Sequence, residues 1–503
     1  MLSENKVQTG KILKFSTLTF VLLLLFAGSS LGLVWVHAAG PTLQYGPKVI
    51  SGTETNAKEP AVSTSANGID VYVAWTRGSG GIYFSESTSG GSSFTSPAKI
   101  STGTGTTQFP VMITGDGYQT FTAGDVYVAW VQSISGTLQP FVAVSTNNGV
   151  SFTTTQLSTG GGITPALAAS GADVYVTWYQ TGACPVTALN PAPTKGCIYV
   201  DSSSNNGGSW TTPVELNPSS KGEAQVVASG SDAYVTADGT YFSSFGLAGT
   251  WKGSGTTSTG WSTPLQLYAF YTVGSSTSFG REPWIAASGL DVYVTFNAID
   301  LSTTSTYRIY GLTSNDGGAT WYSGTSTSPS HLVSTFPPTI TTAAQQANFL
   351  MSGSQGNDWE PENVAFGTSA FLTFHSLANQ GVYLTTTTNG GSSWSTPGKV
   401  PSQASGTSAY AHIFTSDGTN IWVMWGQVKS GSVWNAYVSY GSLSGGTVTW
   451  STPLDISNNA VGVAAGNQDV TLFWVSSIGT TCFAVYTYTN GGTSQVWFSS
   501  VIG

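Results

Sequence analysis

One short motif recurs along the 503-residue chain and limits the folds that the chain can adopt. The segment SNDGGATW, from Ser314 to Trp321, places Asn, Asp and two glycines ahead of an aromatic residue, which is a composition typical of a tight turn that leads into a strand. Related segments end at six other aromatic residues: Phe94, Phe152, Trp210, Trp261, Trp394 and Trp450. Neighbouring copies lie 51 to 73 residues apart, which indicates one repetitive architecture.

A second motif, with the character of a strand, lies between the turns. It reads DVYVAW at Asp70 to Trp75, and its other copies begin at Asp125, Asp173, Asp232, Asp291, Ser369, Asn420 and Asp469. Alternate side chains of a strand lie on opposite faces, and both sets are largely apolar here, so each copy is predicted to pack on both faces. Eight copies predict eight such strands.

Each repeat divides into four strands. In the first repeat, PAVSTS and DVYVAW are followed by IYFSES, the turn and FTSPAKIS. A four-stranded antiparallel meander repeated around an axis is a β-propeller. We therefore predict an all-β propeller over residues 40–503, with eight blades favoured and seven as the alternative. The segment from Tyr45 to Ser51 is predicted to close the ring beside the C-terminal strands, which hides the sheet edges.

Charge is sparse and acidic, with 14 Lys and Arg against 23 Asp and Glu and a net charge of −9. The body of the chain has no basic cluster, which excludes nucleic acid as a partner. At the N-terminus, Lys6, Lys11 and Lys14 precede an apolar run from Phe15 to Ala39. Residues 1–39 are therefore predicted to be a signal peptide or, alternatively, an uncleaved membrane anchor. Both place the propeller outside the cytoplasm, in the extracellular space or at the cell surface.

The three cysteines form no metal-ligand pattern. Cys184 and Cys197 bracket the Pro-rich segment CPVTALNPAPTKGC, where a disulfide would close a short loop. Cys482 is expected to be a small buried strand residue. No cofactor is expected; rim carboxylates could hold Ca²⁺, although no spaced Asp loop supports such a site.

The turn motif resembles the Asp box, Ser-x-Asp-x-Gly-x-Thr-Trp, of the sialidase-like (BNR-repeat) propellers. Ser314, Asp316, Gly318, Thr320 and Trp321 match it position for position. Three further copies place Asn at the Asp position: Asn147, Asn205 and Asn389. The resemblance implies a propeller over about residues 41–503 and a structural role for the boxes. It implies little about chemistry, because Asp boxes also occur in sorting receptors and assembly factors.

The remaining charged residues favour one face of the predicted propeller. The starts of the first strands and the ends of the second strands share that face, opposite the Asp boxes. Glu59, Glu282 and Glu360 each precede a proline at the start of a first strand, and Glu223 is close to equivalent. Second strands are followed by Arg77, Gln132, Gln180, Asp238, Asp300, His375 and Gln427. These residues either cap the strands and solvate the channel mouth or form a functional site.

Resemblance to sialidases implies three arginines that clamp a substrate carboxylate, a Tyr/Glu nucleophile pair and an acid/base Asp. The chain has three arginines, Arg77, Arg281 and Arg308, and all map to the candidate face. However, the Phe-Arg-Ile-Pro motif of that family is missing, and Arg77 lies some four blades from the other two.

A glycosidase of another type needs only two suitably spaced carboxylates and aromatic surfaces for sugar rings. Glu282, Glu360 and Asp300 are the candidate catalytic residues, with Glu59 and Asp358 as further carboxylates. The candidate binding residues are Arg77, Arg281, Arg308, Glu59, Glu223, Trp284, Trp359 and His375. We favour a monomeric, non-catalytic surface protein that binds a glycan or a protein partner. A sialidase-like exo-glycoside hydrolase and a structural envelope component are the alternatives.

Overall fold

The structure, a computed structural model, describes residues 40–503 apart from 79, 115–123, 181–195, 219–223, 239–247, 255–259, 263–264, 269–270, 275, 279, 304, 402–408, 431–432, 458–468 and 491. The predicted export segment 1–39, Cys184 and Glu223 lie outside the described residues, so the predictions made for them stay predictions. None of the helices in the described part of the chain is long and apolar enough to span a membrane.

Antiparallel sheets, numbered as blades 1 to 8 in chain order, make up nearly all of the described structure. Within it, seven blades contain four strands each and blade 7 contains five. Blades 1 to 4 comprise β2 (Ala57–Thr64), β3 (Val71–Arg77), β4 (Gly81–Ser87) and β5 (Ala98–Lys99); β6 (Thr107–Thr114), β7 (Val126–Ile134), β8 (Thr137–Ser145) and β9 (Thr153–Gln156); β10 (Ile163–Ser170), β11 (Asp173–Gln180), β12 (Cys197–Ser203) and β13 (Val214–Pro218); and β14 (Ala224–Ser229), β15 (Asp232–Asp238), β16 (Ala248–Ser254) and β17 (Leu265–Tyr268).

Blades 5 to 8 continue the pattern, with β1 (Thr42–Val49) joining blade 8. They comprise β20 (Arg281–Ser288), β21 (Asp291–Ile299), β22 (Tyr307–Ser314) and β23 (Tyr322–Ser323); β24 (Asp358–Phe366), β25 (Ser369–Ser376), β26 (Gly381–Thr387) and β27 (Gly398–Lys399); β28 (Ala409–Ser416), β29 (Asn420–Ser430), β30 (Val433–Ser444), β31 (Thr447–Trp450) and β32 (Leu454–Asp455); and β33 (Asp469–Ile478), β34 (Thr481–Asn490) and β35 (Thr493–Ile502). The other elements are the hairpin β18 (Tyr271–Val273) and β19 (Ser276–Ser278), a 3₁₀ turn (Pro329–His331) and α1 (Ala343–Ala347).

The innermost strands of the eight sheets, β2, β6, β10, β14, β20, β24, β28 and β33, pack side by side in chain order and surround a central channel. The last of them, β33, packs against the first, β2, so the ring is closed. The predicted all-β propeller of four-stranded antiparallel blades is confirmed.

Strand β1 closes the ring as the outermost strand of blade 8. It pairs antiparallel with β35, with Thr42 opposite Ile502 and Val49 opposite Trp497. One strand assignment from the sequence is wrong: the motif copy at Asp469 to Trp474 lies in the innermost strand β33, and β34 is the second strand. The alternation of the motif fits an innermost strand as well as a second strand, because an innermost strand also packs against the adjacent blades on both of its faces.

The second strand of each blade carries the core. In blade 1, Tyr72 packs with Trp130 of blade 2, whereas Val73 and Trp75 pack with Phe483 of blade 8. All five side chains are 2% exposed or less. Full burial of an apolar side chain stabilises a fold by about 1.5–3 kcal/mol, so the alternation that the sequence shows is the main source of contact between blades.

The recurrent turns tie themselves together with side-chain hydrogen bonds. Asp316 Oδ1 accepts from the Ser314 hydroxyl and from the Thr320 amide, both at 2.8 Å. Gly318, at φ 82°, donates its amide to Ser314 Oγ at 2.8 Å, and the Trp321 indole donates to the Gly318 carbonyl at 3.1 Å. Equivalent bonds surround Asn147, Asn205 and Asn389. An amide or a carboxylate therefore serves equally well at this position.

Candidate functional site

The two ends of the channel differ in what surrounds them. Loops between the first and second strands receive hydrogen bonds from the recurrent turns, such as Gly317 N–H to the Leu290 carbonyl at 2.8 Å and Gly390 N–H to the Thr368 carbonyl at 2.8 Å. The starts of the innermost strands and the ends of the second strands therefore lie at the opposite end. We call that end the rim.

Each Glu-Pro pair at the rim forms a β-bulge. The pairing register of β2, β20 and β24 shifts at Glu59, Glu282 and Glu360, and these residues have φ values of 53°, 49° and 53°. Phe109 and Thr164 precede prolines in the same way, with φ 55° and 47°. A left-handed residue before proline costs conformational energy, and such bulges re-aim side chains. The shared structural feature is thus the bulge, and glutamate occupies it in three of the five blades.

Two of the glutamates have fixed hydrogen-bond partners. The Phe109 amide donates to Glu59 Oε2 at 2.8 Å and so links the bulges of blades 1 and 2. The Asn297 side-chain amide donates to Glu282 Oε2 at 2.5 Å within blade 5. Burial raises the pKa of Glu59, partly offset by the Phe109 amide and Lys58. These contacts give both glutamates a structural role at the channel mouth.

The three arginines do not meet. Arg77 pairs with Glu54 and donates to Tyr83 Oη at 2.9 Å on blade 1. Arg308 belongs to blade 5, four places further around the ring, and Arg281 begins the innermost strand of that same blade. The structure therefore brings Arg281 and Arg308 into one blade and leaves Arg77 on the opposite side.

Arg308 joins two blades through carboxylates. Its Nε lies 3.6 Å from Asp300 Oδ2, and its Nη1 lies 3.9 Å from Asp358 Oδ2 at the start of blade 6. The Asp358 side chain is completely buried, and burial raises its pKa to about 6, although the Ser352 and Ser376 hydroxyls and Arg308 favour the charged form. Asp300 also accepts from the Ser302 amide and hydroxyl, at 2.8 and 2.6 Å.

Two aromatic rings lie beside these ion pairs. The centroids of Tyr307 and Trp359 are 4.1 Å apart with their planes inclined at 38°, and both side chains are half-buried. Each ring is adjacent in sequence to a charged member of the cluster, Arg308 or Asp358. We call Asp300, Tyr307, Arg308, Asp358 and Trp359 the blade 5–6 site. Sequence reasoning singled out all of them except Tyr307, whose only signal is its place before Arg308 in TYRIYG.

Further carboxyl groups continue from the rim into the channel. Glu360 lies at the bulge, where much of its side chain is exposed but partial desolvation of its carboxyl group raises its pKa. Glu362, two residues along β24, lies on the same strand face as Val364, which lines the channel. Burial raises the pKa of Glu362 well above its ordinary value; Glu360 adds to that effect and the Phe414 amide opposes it. Sequence reasoning missed Glu362, although EPE places it two positions from Glu360.

Of the proposed binding residues, His375 is buried and Trp284 is half-buried. His375 is 3% exposed at the end of β25, and burial lowers its pKa to about 4. The Trp284 indole donates to the Asn363 carbonyl at 3.2 Å, so it ties blade 5 to blade 6. His412 lies behind His375, with its Nε2 3.0 Å from Thr373 Oγ1, and burial lowers its pKa to about 3.

Within the described residues, no group of three or more His, Cys, Asp or Glu side chains is arranged to hold a metal ion. Cys197 is disulfide-bonded, and its pairing with Cys184 stays a prediction because Cys184 lies outside the described residues. Cys482 is a free, buried thiol, as expected.

No protein-family model matches the sequence, and no curated protein matches it either. The solved structures that resemble this one include three β-propellers. A Trypanosoma rangeli sialidase in complex with sialic acid is 9% identical, with TM-score 0.39 over 92% of this chain, which spans 59% of the sialidase chain. The GH93 α-L-arabinofuranosidase of Fusarium graminearum is 11% identical, with TM-score 0.39 over 83% of this chain and 98% of its own. A PL25 ulvan lyase is 11% identical, with TM-score 0.44 over 92% of this chain and 94% of the lyase chain.

The propeller that the Asp-box resemblance implies is present, whereas ligand and reaction must be argued from the residues of this chain.

Proposed function

We propose that this protein is an exported, non-catalytic propeller that binds neutral glycans at the blade 5–6 site. The observation that carries the proposal is the Tyr307–Trp359 pair, whose rings lie 4.1 Å apart at the rim beside fixed carboxylates. Half-buried aromatic faces next to a few oriented polar groups are typical of small-molecule sites. Sugar rings present both apolar C–H faces and hydroxyls, so they fit such a surface.

The charge of the site favours neutral sugars. Arg308 lies 3.6 Å from Asp300 and 3.9 Å from Asp358, so its charge is compensated within the protein. Arg77 lies four blades away. A sialic acid carboxylate would therefore approach a site without a clamp of three arginines, and a neutral glycan is the better ligand.

The burial of the site's carboxyl groups favours binding over catalysis. Burial raises the pKa of Asp358, but its side chain is completely buried. Glu282 is hydrogen-bonded to Asn297. A general acid must reach the glycosidic oxygen, and the fully buried carboxyl group of Asp358 is not placed at the surface to do so.

One observation favours glycoside hydrolysis as a second candidate. Glu360 is exposed at the rim, and its pKa is raised. A carboxyl group whose pKa is raised is suited to act as the general acid of a glycosidase. Glu360 is the residue that such an enzyme would use.

The test is binding of the full chain to an array of neutral and acidic glycans, followed by calorimetry on the best ligand. Tyr307→Ala and Trp359→Ala should each weaken binding at least tenfold. Tyr322→Ala, a half-buried tyrosine on the outermost strand of the same blade, is the matched control and should retain binding. Equal losses in all three variants, or a preference for sialosides, would contradict the proposal.

Turnover assays on the same glycans separate the two candidates. Hydrolysis by the parent chain that disappears in Glu360→Gln would show that the protein is a glycoside hydrolase and would contradict the non-catalytic function. Binding without turnover supports the non-catalytic function.

A further inference from the structure

A cavity of about 450 Å³ lies on the channel axis at the end opposite the rim. Residues from the ends of the innermost strands of seven blades line it, including Val62, Ile113, Leu167, Val226, Val364 and Trp474. Its location separates it from the blade 5–6 site, which occupies the other end of the same channel.

The cavity wall carries no charged side chain among the described residues that line it. Its hydroxyl groups bond to one another or to the backbone: Ser63 Oγ lies 3.0 Å from Thr114 Oγ1, and Thr114 donates to the Thr64 carbonyl at 2.7 Å. The Thr64 hydroxyl in turn lies 3.1 Å from Ser476 Oγ. The hydrogen-bonding capacity of these hydroxyl groups is therefore largely satisfied within the protein. Most of the remaining cavity wall is aliphatic.

This wall predicts the chemistry of a ligand. Pockets for small molecules generally enclose about 300–1,000 Å³ and are mainly apolar. Each buried methylene contributes about 0.8 kcal/mol to binding, whereas an unpaired buried charge carries a large desolvation cost. We propose that the axial cavity binds one uncharged, apolar small molecule. This site is independent of the glycan proposal.

The test uses a pair of fluorescent probes with the same rings. N-phenyl-1-naphthylamine is uncharged, and 8-anilino-1-naphthalenesulfonate adds one sulfonate to it. Binding to the full chain is measured by probe emission and by energy transfer from tryptophan, since Trp474 lies in the wall. The uncharged probe should bind at least tenfold more tightly than the sulfonate.

A pair of identical substitutions locates the probe. Val364→Phe fills the cavity and should weaken binding of the uncharged probe at least tenfold. Val150→Phe changes a side chain that is 74% exposed on a recurrent turn, and it should leave binding within twofold. Any probe held by the apolar N-terminal segment contributes equally in both variants. Leu167→Phe fills the cavity from another blade and serves if Val364→Phe does not fold.

Circular dichroism of each variant must match that of the parent chain. Unchanged binding in both filling variants, equal loss in Val150→Phe, or tighter binding of the sulfonate would each overturn the proposal.

Discussion

The same eight innermost strands build two different channel ends. At the rim, left-handed residues precede prolines, burial raises the pKa values of Asp358 and Glu360, and Arg308 pairs with Asp358. At the opposite end, hydroxyls bond to one another, the recurrent turns satisfy their own amides, and the wall is apolar. Backbone strain and buried charge concentrate where proteins place function, so the comparison identifies the rim as the end that departs from optimal packing.

The largest expected effect concerns the regular end. Trp321 is 1% exposed, packs in the blade 5 core and donates its indole N–H to Gly318. Trp321→Ala should lower the free energy of unfolding by about 3–5 kcal/mol, because a large buried side chain is lost and a cavity remains. Denaturant unfolding of the full chain measures this change.

Asp316→Asn is the control for that turn. It recreates the arrangement around Asn147, Asn205 and Asn389, so the free energy of unfolding should change by about 0.5 kcal/mol or less. A small effect of Trp321→Ala, or a large effect of Asp316→Asn, would show that the turns do not fasten the blades as described.

The second prediction compares two arginines on opposite sides of the rim. The Arg308 and Asp300 side chains are only 16% and 20% exposed, and that of Asp358 is fully buried. Arg308→Met should therefore lower the free energy of unfolding by about 2–3 kcal/mol, since it leaves buried carboxylates unpaired. Arg77→Met should cost far less, because the 42% exposed Arg77 side chain pairs with Glu54 in contact with solvent.

Thermal and denaturant unfolding of both variants measure this difference. Equal losses would mean that Arg308 does not join blades 5 and 6 through its ion pairs. The ion pairs on the two sides of the rim would then contribute equally to the free energy of unfolding.

The third prediction concerns pH and gives the smallest effect. The folded-state pKa of Glu362 is raised well above the ordinary value of 4.5, chiefly by burial. The folded chain thus binds this proton more tightly than the unfolded chain, and stability falls as pH rises above that ordinary value. Glu362→Gln removes the titration, so it should raise the free energy of unfolding at pH 8 more than at pH 4.

Unfolding of both proteins across this pH range provides the measurement. Glu360→Gln should change the pH dependence in the same direction but less, because Glu360 acts on Glu362 through its charge and is itself exposed. An identical pH dependence in the parent chain and in Glu362→Gln would place Glu362 in contact with bulk water.

Much of the fold was predictable from the sequence because its signals are local. The DVYVAW alternation predicted strands packed on both faces, and Tyr72 and Trp75 do pack on opposite neighbours. The same alternation misassigned the copy at Asp469, since an innermost strand and a second strand share that pattern.

The candidate site was predictable only in part. The Glu-Pro pairs correctly indicated one face, but Phe109 and Thr164 show that the bulge does not require glutamate. Tyr307 and Glu362 went unnoticed because their only local signals are the nearby Arg308 and Glu360, and local spacing does not show which side chains the fold brings together.

The sequence by itself determined the repeating blade and its turns, because each depends on hydrogen bonds and side-chain alternation within a few residues. Only the tertiary structure decided which charges meet. Arg308 and Asp358 belong to different blades, and Arg77 is carried to the far side of the ring. Ring closure sets these distances and the burial that shifts the pKa values, and neither quantity is encoded in local spacing.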